Sequence, residues 1–144
     1  MREKLQTTAA YIDLDNFKTI NDSFGHSTGD DILKLIANIM NSIVRQSDII
    51  ARAGGDEFII FLPNTGYDAA HIILERIRKR VAMEMQQNGW NTTLSIGAVT
   101  CRSHPGSVDT LVSRIDALMY EVKRAGKDGF KHIEYSGKQN PQDK

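Results

Sequence analysis

Two short stretches of the chain carry closely spaced carboxylates at positions where acidic residues are otherwise disfavoured. Asp13 and Asp15 end a short apolar run, and Asp56 with Glu57 stands at a turn between two further apolar runs. Acids avoid strands unless something compensates their charge, and carboxylates held together raise each other's pKa unless a cation lies among them. A hard divalent ion such as Mg²⁺ accepts carboxylates together with phosphate oxygens, and two such ions can clamp the oxygens of a phosphoryl transfer.

The spacing of these acids supports two interpretations. If the turn lies beside the first apolar run, we expect Asp13 to meet Asp56 and Glu57 at one edge of a sheet. Alternatively, Asp13 merely ends a strand and Asp56 merely serves the turn. Spacing alone leaves both interpretations open.

A phosphate-binding loop of the P-loop type is absent from the sequence. The glycine-containing segment 25–29, GHSTG, lacks the G-x-x-x-x-G-K-[ST] pattern whose backbone amides and lysine hold phosphates. Phosphate binding would therefore have to come from backbone amides, a metal ion and lysine side chains.

The elements that must position these acids are indicated by hydrophobic periodicity. Apolar residues at helical spacing predict helices at about 30–44, 68–86 and 107–125, the last with Ser107 as its N-cap. Gly54 and Gly55 predict a tight hairpin between two strands, because such turns need positive φ. The polar stretch 21–30 is typical of a loop. Short apolar runs predict strands at 8–13, 48–52, 57–62, 91–100 and 130–135.

The predicted order of elements is β-α-β-β-α-β-α-β, with helices alternating with strands around a central hairpin. This order predicts the α/β (α+β) class, with a ferredoxin-like or palm-type mixed antiparallel sheet and helices packed on it. The 144 residues suit one domain, and we expect its core at about 9–135 and a polar C-terminal tail at 136–144.

Composition narrows the range of partners. The 18 basic residues balance 18 acidic ones, so no net charge draws the chain to nucleic acid or to an anionic membrane. An RNA-binding sheet of similar topology is disfavoured for the same reason, because the chain is not basic. Cys101 is the single cysteine, which suits a reducing compartment, and no apolar run is long enough to span a bilayer. We expect a cytoplasmic domain without direct membrane contact, although its parent protein could be tethered to a membrane.

Several motifs resemble those of the GGDEF family, the catalytic domain of diguanylate cyclases. The stretch 52–58, RAGGDEF, matches the signature hairpin in its five-letter core. The stretch 13–30 is similar to the family's D-x-D-x-F-K-x-x-N-D…G-H-x-x-G-D segment, and 95–97 matches its S-I-G strand. The stretch 116–128 resembles D-x-A-L-Y-x-A-K-x-x-G-R-N. The resemblance covers about residues 9 to 135.

The resemblance implies a metal-dependent catalytic site. It assigns two Mg²⁺ (or Mn²⁺) ions per active half-site to the side chain of Asp13, the carbonyl of Leu14, and the carboxylates of Asp56 and Glu57. Asp56 and Glu57 are the implied catalytic residues, and Asp56 is the implied base that takes a proton from the 3′-hydroxyl.

The resemblance also implies which residues contact the substrate. Asn21 and Asp30 would read the guanine edge, since a carboxylate accepts hydrogen bonds from N1–H and the 2-amino group. Lys123 and Lys127 would hold the β- and γ-phosphates as point charges. The remaining implied contacts are His26, Phe17, which could instead be wholly structural, and the turn glycines Gly54 and Gly55.

A second implied site is regulatory. Arg45 and Asp48 resemble the family's R-x-x-D inhibitory motif, and Arg76 resembles the additional arginine of that site. The resemblance implies that cyclic di-GMP binds here and restrains the domain when product accumulates. The alternative is a plain surface ion pair at a helix exit, which contributes under about 1 kcal/mol.

Taken together, the resemblance implies an enzyme that joins two GTP molecules into cyclic di-GMP across a transient antiparallel homodimer. A catalytically silent module that binds GTP or cyclic di-GMP is the alternative. The sequence departs from the family in two places: the upstream D-x-L-T-x-L-x-N-R segment is absent, and 126–128 reads G-K-D where G-R-N is usual. Lysine keeps the charge of that arginine but loses its bidentate fork, so phosphate binding there is expected to be weaker.

Overall fold

The computed structural model describes residues 6–102 and 107–135, which form one sheet with helices on both of its faces. The strand order is β2-β3-β1-β4-β5. All neighbouring strands are antiparallel except β4 and β5, which run parallel, so the predicted mixed sheet with packed helices is confirmed. The strands are β1 (Thr7–Leu14), β2 (Ile49–Arg52), β3 (Glu57–Leu62), β4 (Leu94–Cys101) and β5 (Gly129–Tyr135).

Helices cover the two faces of the sheet unequally. Alternate residues of the strands, such as Ile12, Ile60 and Ile96, form the main core on the face that carries most of the helical residues. The helices on that face are α1 (Phe17–Phe24), α2 (His26–Ile43) and α3 (Tyr67–Gln87). On the opposite face, α4 (Val108–Arg124) packs against Ala9 and Val99. Strand β4 is buried over its whole length, as expected of a strand covered on both sides.

Close packing of α4 on the sheet requires a glycine. A Cβ placed at Gly97 of β4 would lie 2.3 Å from the Met119 amide nitrogen and 2.5 Å from the Ile115 carbonyl oxygen. The backbone of α4 therefore approaches β4 more closely than any side chain would allow. Ser107 begins the helix as predicted, because its side chain accepts a hydrogen bond from the Thr110 amide at 3.1 Å.

The prediction of a loop at 21–30 is wrong. Most of this stretch is helical, because α1 extends to Phe24 and α2 begins at His26. Only Gly25 separates the two helices, and its φ of 94° gives the sharp change of direction. Most of the polar residues are exposed while Ile20 of α1 is buried, so tertiary packing overrides their local preference for turns. The observed order is therefore β-α-α-β-β-α-β-α-β.

Two predictions remain, one about the C-terminal tail and one about membrane-spanning segments. The predicted polar tail at 136–144 lies outside the described residues. Among the helices that the structure describes, none combines the length and hydropathy needed to cross a bilayer.

Candidate active site at the acidic edge of the sheet

Three carboxylates from two distant parts of the chain converge at one edge of the sheet. Strand β1 pairs with β3 so that Asp13 lies opposite Glu57, and Asp56 directly precedes β3. One carboxylate oxygen from each of these residues lies within 4.8 Å of the others. The expectation that the acids meet at one edge of the sheet is therefore confirmed.

The turn that carries Asp56 is held by main-chain contacts. The Leu14 amide donates to the Asp56 carbonyl oxygen at 3.1 Å, which ties the turn to the end of β1. Arg52 was not predicted as a functional residue, yet its guanidinium donates to the carbonyl oxygens of Gly54 at 3.1 Å and Gly55 at 2.7 Å. Its position next to the glycine pair is the only signal that sequence offers for this role.

The predicted reason for the two turn glycines is wrong, because neither Gly54 nor Gly55 has φ in the left-handed region. At Gly54 the small size of glycine matters instead. A Cβ at Gly54 would lie 3.0 Å from the Glu57 carboxylate, whereas no heavy atom lies within 4 Å of a Cβ built at Gly55. Gly55 therefore leaves its backbone open to the solvent side of the acidic edge.

The electrostatics of Asp13 suit a bound cation. Asp13 is only 9% exposed, and its Oδ1 has no hydrogen-bonding partner among the described residues. Burial raises the pKa of Asp13 to about 7; the ammonium of Lys123 opposes this shift, and the charge of Asp56 adds to it. A divalent ion would supply the missing partner of Oδ1 and offset the repulsion among the three carboxylates. The hard-oxygen donor set therefore fits Mg²⁺ or Mn²⁺.

Tyr11 is a site residue that sequence reasoning missed. Its hydroxyl donates to Glu57 Oε1 at 2.8 Å and orients that carboxylate. Burial, followed by this hydrogen bond and the charge of Glu57, raises the pKa of Tyr11 well above its usual value. The available signal was strand alternation, since Tyr11 precedes Asp13 by two residues and shares its face of β1.

Lys123 enters the acidic edge from the end of α4. Its ammonium nitrogen lies 3.3 Å from Asp13 Oδ2, 3.2 Å from Asp15 Oδ1 and 3.3 Å from the Leu14 carbonyl oxygen. Burial by itself lowers the pKa of Lys123, but the charges of Asp13 and Asp15 outweigh it and raise the pKa above its usual value. Lys127 stands in the following loop, where its ammonium donates to Asn16 Oδ1 at 2.9 Å.

Asp15 does not join the three acids although it lies two residues from Asp13. Its side chain has no exposed surface and turns toward β4, where Thr93 and Ser95 donate to it at 2.6 Å. The Asp15 carboxylate is therefore bonded to protein groups, whereas Asp13 Oδ1 has no partner among the described residues.

The residues predicted to read guanine lie where α1 meets α2. Asn21 Oδ1 is buried without a hydrogen-bonding partner among the described residues, and it lies 1.9 Å from a Cβ built at Gly29, so the glycine makes room for it. Phe17 Cζ is 3.1 Å from the same point, and Phe17 packs against the main core. His26 is exposed at the start of α2. Asp30 lines a pocket of about 330 Å³ whose other walls include Leu33, Arg52 and Phe58.

The R-x-x-D residues are separate from the acidic edge. Arg45 forms an ion pair with Asp48 at 3.1 Å and also donates to the Pro63 carbonyl oxygen and the Thr65 hydroxyl. Pro63 follows the C-terminal end of β3, whereas Glu57 begins that strand, so the pair lies at the opposite end of β3 from the acids. Arg76 lies on α3 in an exposed groove whose lining includes neither Arg45 nor Asp48.

Comparison with protein families gives a match over most of the chain. The family model described as the diguanylate cyclase GGDEF domain matches residues 1–129. Diguanylate cyclase A of Treponema denticola is 40% identical over 130 residues, covering 88% of this chain and 35% of that protein. Diguanylate cyclase DgcP of Pseudomonas aeruginosa is 38% identical over 122 residues, covering 83% of this chain and 18% of that protein. The chain thus spans well under half the length of these relatives.

Solved structures of similar sequence share the fold. The active GGEEF domain of a diguanylate cyclase from Vibrio cholerae has a TM-score of 0.81 at 34% identity, covering 92% of this chain and 85% of that one. The GGDEF domain of DgcB from Caulobacter crescentus, in complex with c-di-GMP, has a TM-score of 0.78 at 28% identity, covering 89% of this chain and 78% of that one.

Proposed function

The chain belongs to the GGDEF family, and from that premise we propose that it is the catalytic domain of a diguanylate cyclase, which condenses two GTP molecules into cyclic di-GMP and two pyrophosphates. The observation that carries this proposal is the convergence of Asp13, Asp56 and Glu57 within 4.8 Å at one sheet edge. A single domain over the whole chain, with its core at about 9–135, is part of the proposal.

The three carboxylates, together with the Leu14 carbonyl, would hold two Mg²⁺ (or Mn²⁺) ions. When bound, these ions would lower the pKa of the attacking hydroxyl and neutralise charge on the phosphates. The unpartnered Oδ1 of Asp13 and the purely oxygen donor set support this assignment.

The acidic residues and the two lysines have different roles in the proposed reaction. The Asp56 carboxylate takes the proton of the 3′-hydroxyl as that oxygen bonds to the α-phosphorus of the other GTP and the bond to pyrophosphate breaks. Glu57 would bind a metal ion, and the hydrogen bond from Tyr11 at 2.8 Å holds its carboxylate in place for that role. Lys123 and Lys127 stabilise negative charge on the β- and γ-phosphates as pyrophosphate leaves.

Guanine recognition is assigned to the junction of α1 and α2. Asp30 can accept from N1–H and the 2-amino group of guanine, and apolar Leu33 and Phe58 line the same pocket. Asn21 adds an amide whose buried oxygen still lacks a partner in the described chain. We assign lesser contacts to His26 and Phe17, and Gly54 and Gly55 give the nucleotide access to the turn.

The symmetry of the product requires two domains. Each domain holds one GTP, and the two must face each other antiparallel so that each 3′-hydroxyl reaches the opposite α-phosphate. We therefore propose a transient homodimer in the cytoplasm.

The direct test is incubation of the protein with GTP and Mg²⁺ at several protein concentrations, followed by identification of the product. Cyclic di-GMP should form at a rate that rises more steeply than linearly with protein concentration, because two loaded domains must meet. A protein that binds GTP but forms no cyclic di-GMP even when it is forced to dimerise would refute the enzyme and favour the silent binding module.

Product inhibition at the R-x-x-D pair is the second part of the proposal. The guanidinium of Arg45 is half exposed, with a side-chain exposure of 50%, so a ligand can reach it while Asp48 stays covered. An arginine fork of this kind suits the guanine edge or phosphate of cyclic di-GMP, with Arg76 as a further cation. The same contacts to Asp48, Pro63 and Thr65 would also serve a purely structural ion pair, so a test must separate the two.

Arg45→Ala is expected to raise the cyclic di-GMP concentration needed for half-inhibition by about 10-fold or more, since it removes a charge-assisted hydrogen bond. The initial rate at low product should stay within about 2-fold of the parent, because Arg45 lies at the far end of β3. Arg102→Ala is the matched control: it removes another exposed ion pair, with Glu134 at 3.4 Å, and should leave inhibition unchanged. If cyclic di-GMP inhibits the Arg45 variant and the parent equally, the Arg45–Asp48 pair is only a structural contact.

A further inference from the structure

The carboxylate of Asp15 is the most completely bonded acid of the site. Its Oδ1 accepts from Ser95 Oγ at 2.6 Å and lies 3.2 Å from Lys123 Nζ. Its Oδ2 accepts from Thr93 Oγ1 at 2.6 Å and from the Asp128 amide at 2.9 Å. Since the side chain has no exposed surface, Asp15 has neither a free lone pair nor the space to bind a ligand itself.

The four groups bonded to Asp15 come from different elements. Thr93 directly precedes β4 and Ser95 lies near the start of that strand, Lys123 belongs to the end of α4, and Asp128 belongs to the loop before β5. A buried charge is tolerated only when it is paired and hydrogen-bonded, so this arrangement draws the three elements together around one carboxylate. Asp15 thereby helps to hold the ammonium of Lys123, which also contacts Asp13 and the Leu14 carbonyl oxygen.

The loop that follows α4 depends on the same contact. Gly126, Lys127 and Asp128 all have positive φ, of 126°, 65° and 43°. Residues other than glycine rarely keep such conformations unless their surroundings impose them. The Lys127 amide donates to the Val122 carbonyl oxygen at 3.0 Å, which ties the loop to α4, and the Asp128 carboxylate pairs with Arg78 at 2.8 Å. The bond from the Asp128 amide to Asp15 ties the loop to the end of β1.

We propose that Asp15 is a positioning residue for polyphosphate: it holds Lys123 directly, and the loop bearing Lys127 through the Asp128 amide, at the acidic edge. The ammonium of Lys123 is shared between Asp13 and Asp15. When Asp13 binds a cation, the bond to Asp15 remains and keeps the ammonium at the edge, facing the phosphates. This inference rests on the proposed function in that its ligand is a nucleoside triphosphate.

Asp15→Asn tests the proposal through binding alone. The probes are GMP and the unreactive guanosine 5′-(α,β-methylene)triphosphate, titrated calorimetrically in the presence of Mg²⁺. Loss of the anchoring charge is expected to raise the Kd of the triphosphate about 10-fold while the Kd of GMP changes less than about 2-fold. An unchanged ratio of the two Kd values would overturn the proposal.

Thr92→Val is the matched control for a general structural effect. Thr92 is buried and donates to the carbonyl oxygen of Asp15 at 2.6 Å, so its loss perturbs the same residue without touching the carboxylate. It should lower the melting temperature but preserve the ratio of the two Kd values. If both variants change the ratio equally, Asp15 is only structural.

A double-mutant cycle tests whether Asp15 acts through Lys123. In a Lys123→Met background, Asp15→Asn should weaken triphosphate binding by less than it does in the parent, because only the loop bearing Lys127 is left for Asp15 to position. Additive losses would contradict the proposal. If Asp15→Asn does not fold, Thr93→Val combined with Ser95→Ala removes two donors and keeps the charge. That pair should raise the Kd of the triphosphate selectively by about 3-fold, and a loss equal for both ligands would again overturn the role.

These measurements separate the proposal from the proposed function. A parent protein that binds the triphosphate but makes no cyclic di-GMP refutes the cyclase activity, and the binding ratio still decides the role of Asp15. A fully active parent whose Asp15→Asn variant keeps the parent ratio refutes only the positioning role. A parent that binds neither probe refutes both.

Discussion

Asp56→Asn combined with Glu57→Gln is expected to lower the rate of cyclic di-GMP formation by about 10³-fold or more, since the pair removes both the general base and most of the donor charge. Both replacements keep the shape of the side chain. The amide oxygen introduced at position 57 can still accept the hydrogen bond from Tyr11, which is 2.8 Å long in the parent. The measurement is the rate of product formation at saturating GTP and Mg²⁺.

Two measurements serve as controls for this double substitution: thermal unfolding and the binding of cyclic di-GMP at the R-x-x-D pair. Thermal unfolding should show a melting temperature equal to or above that of the parent, because two of three mutually repelling carboxylates become neutral. Calorimetric binding of cyclic di-GMP should survive, since Arg45 and Asp48 lie at the other end of β3. If the variant retains more than about a tenth of the parent rate, Asp56 is not the catalytic base.

The same variant distinguishes the cyclase from a silent binding module. The module predicts that the parent and the double variant are equally inactive and bind cyclic di-GMP equally well. The cyclase predicts a large difference in turnover with no difference in cyclic di-GMP affinity. The convergence of the three acids favours the cyclase, because a module that only binds product at Arg45 has no use for such a costly cluster.

Gly97→Ala is expected to destabilise the domain by on the order of 3 kcal/mol, because the added methyl group would overlap the backbone of α4. The clash is with main-chain atoms, at 2.3 Å from the Met119 nitrogen and 2.5 Å from the Ile115 oxygen, so no side-chain rotation can relieve it. For a domain of this size such a loss corresponds to a fall in melting temperature of roughly 10 °C. Thermal and urea unfolding measure it.

Gly55→Ala is the matched control for Gly97→Ala. No heavy atom lies within 4 Å of a Cβ built at Gly55, and its φ is outside the left-handed region. Its stability should therefore stay within about 0.5 kcal/mol of the parent, as for most surface substitutions. Equal unfolding midpoints for the Gly97 variant and the parent would show that α4 can move away from β4 without loss, contrary to the close packing described above.

The residues of the acidic edge were predictable because their motifs are local. Asp13 ends one strand and Asp56 precedes another, and pairing of the hairpin with the first strand brings the acids together. That pairing was a condition of the prediction, because two helices and β2 separate β1 from β3 in sequence. Most element boundaries also agreed with prediction, because the periodicity of α2, α3 and α4 is strong.

Two of the three errors originate in contacts between residues far apart in sequence. The 21–30 segment is rich in turn-forming residues, and packing of Ile20 into the core makes it helical nevertheless. The glycine pair suggested positive φ, yet the turn is held instead by Arg52 and by the strand beside it. Strand alternation placed Tyr11 on the same face as Asp13, but it could not identify the hydrogen bond, because the partner Glu57 is 46 residues away.

The sequence by itself determined which chemical groups this protein offers: three acids, two lysines and a glycine-rich turn in motifs of recognisable spacing. Only the tertiary structure decided what each group does. Asp13 and Asp15 are two residues apart and chemically identical, yet one has a carboxylate oxygen without a partner and the other is enclosed by donors 78, 80 and 113 residues away. The physical reason is that charge and hydrogen-bonding capacity belong to a residue, whereas burial and partners depend on which strands and helices surround it.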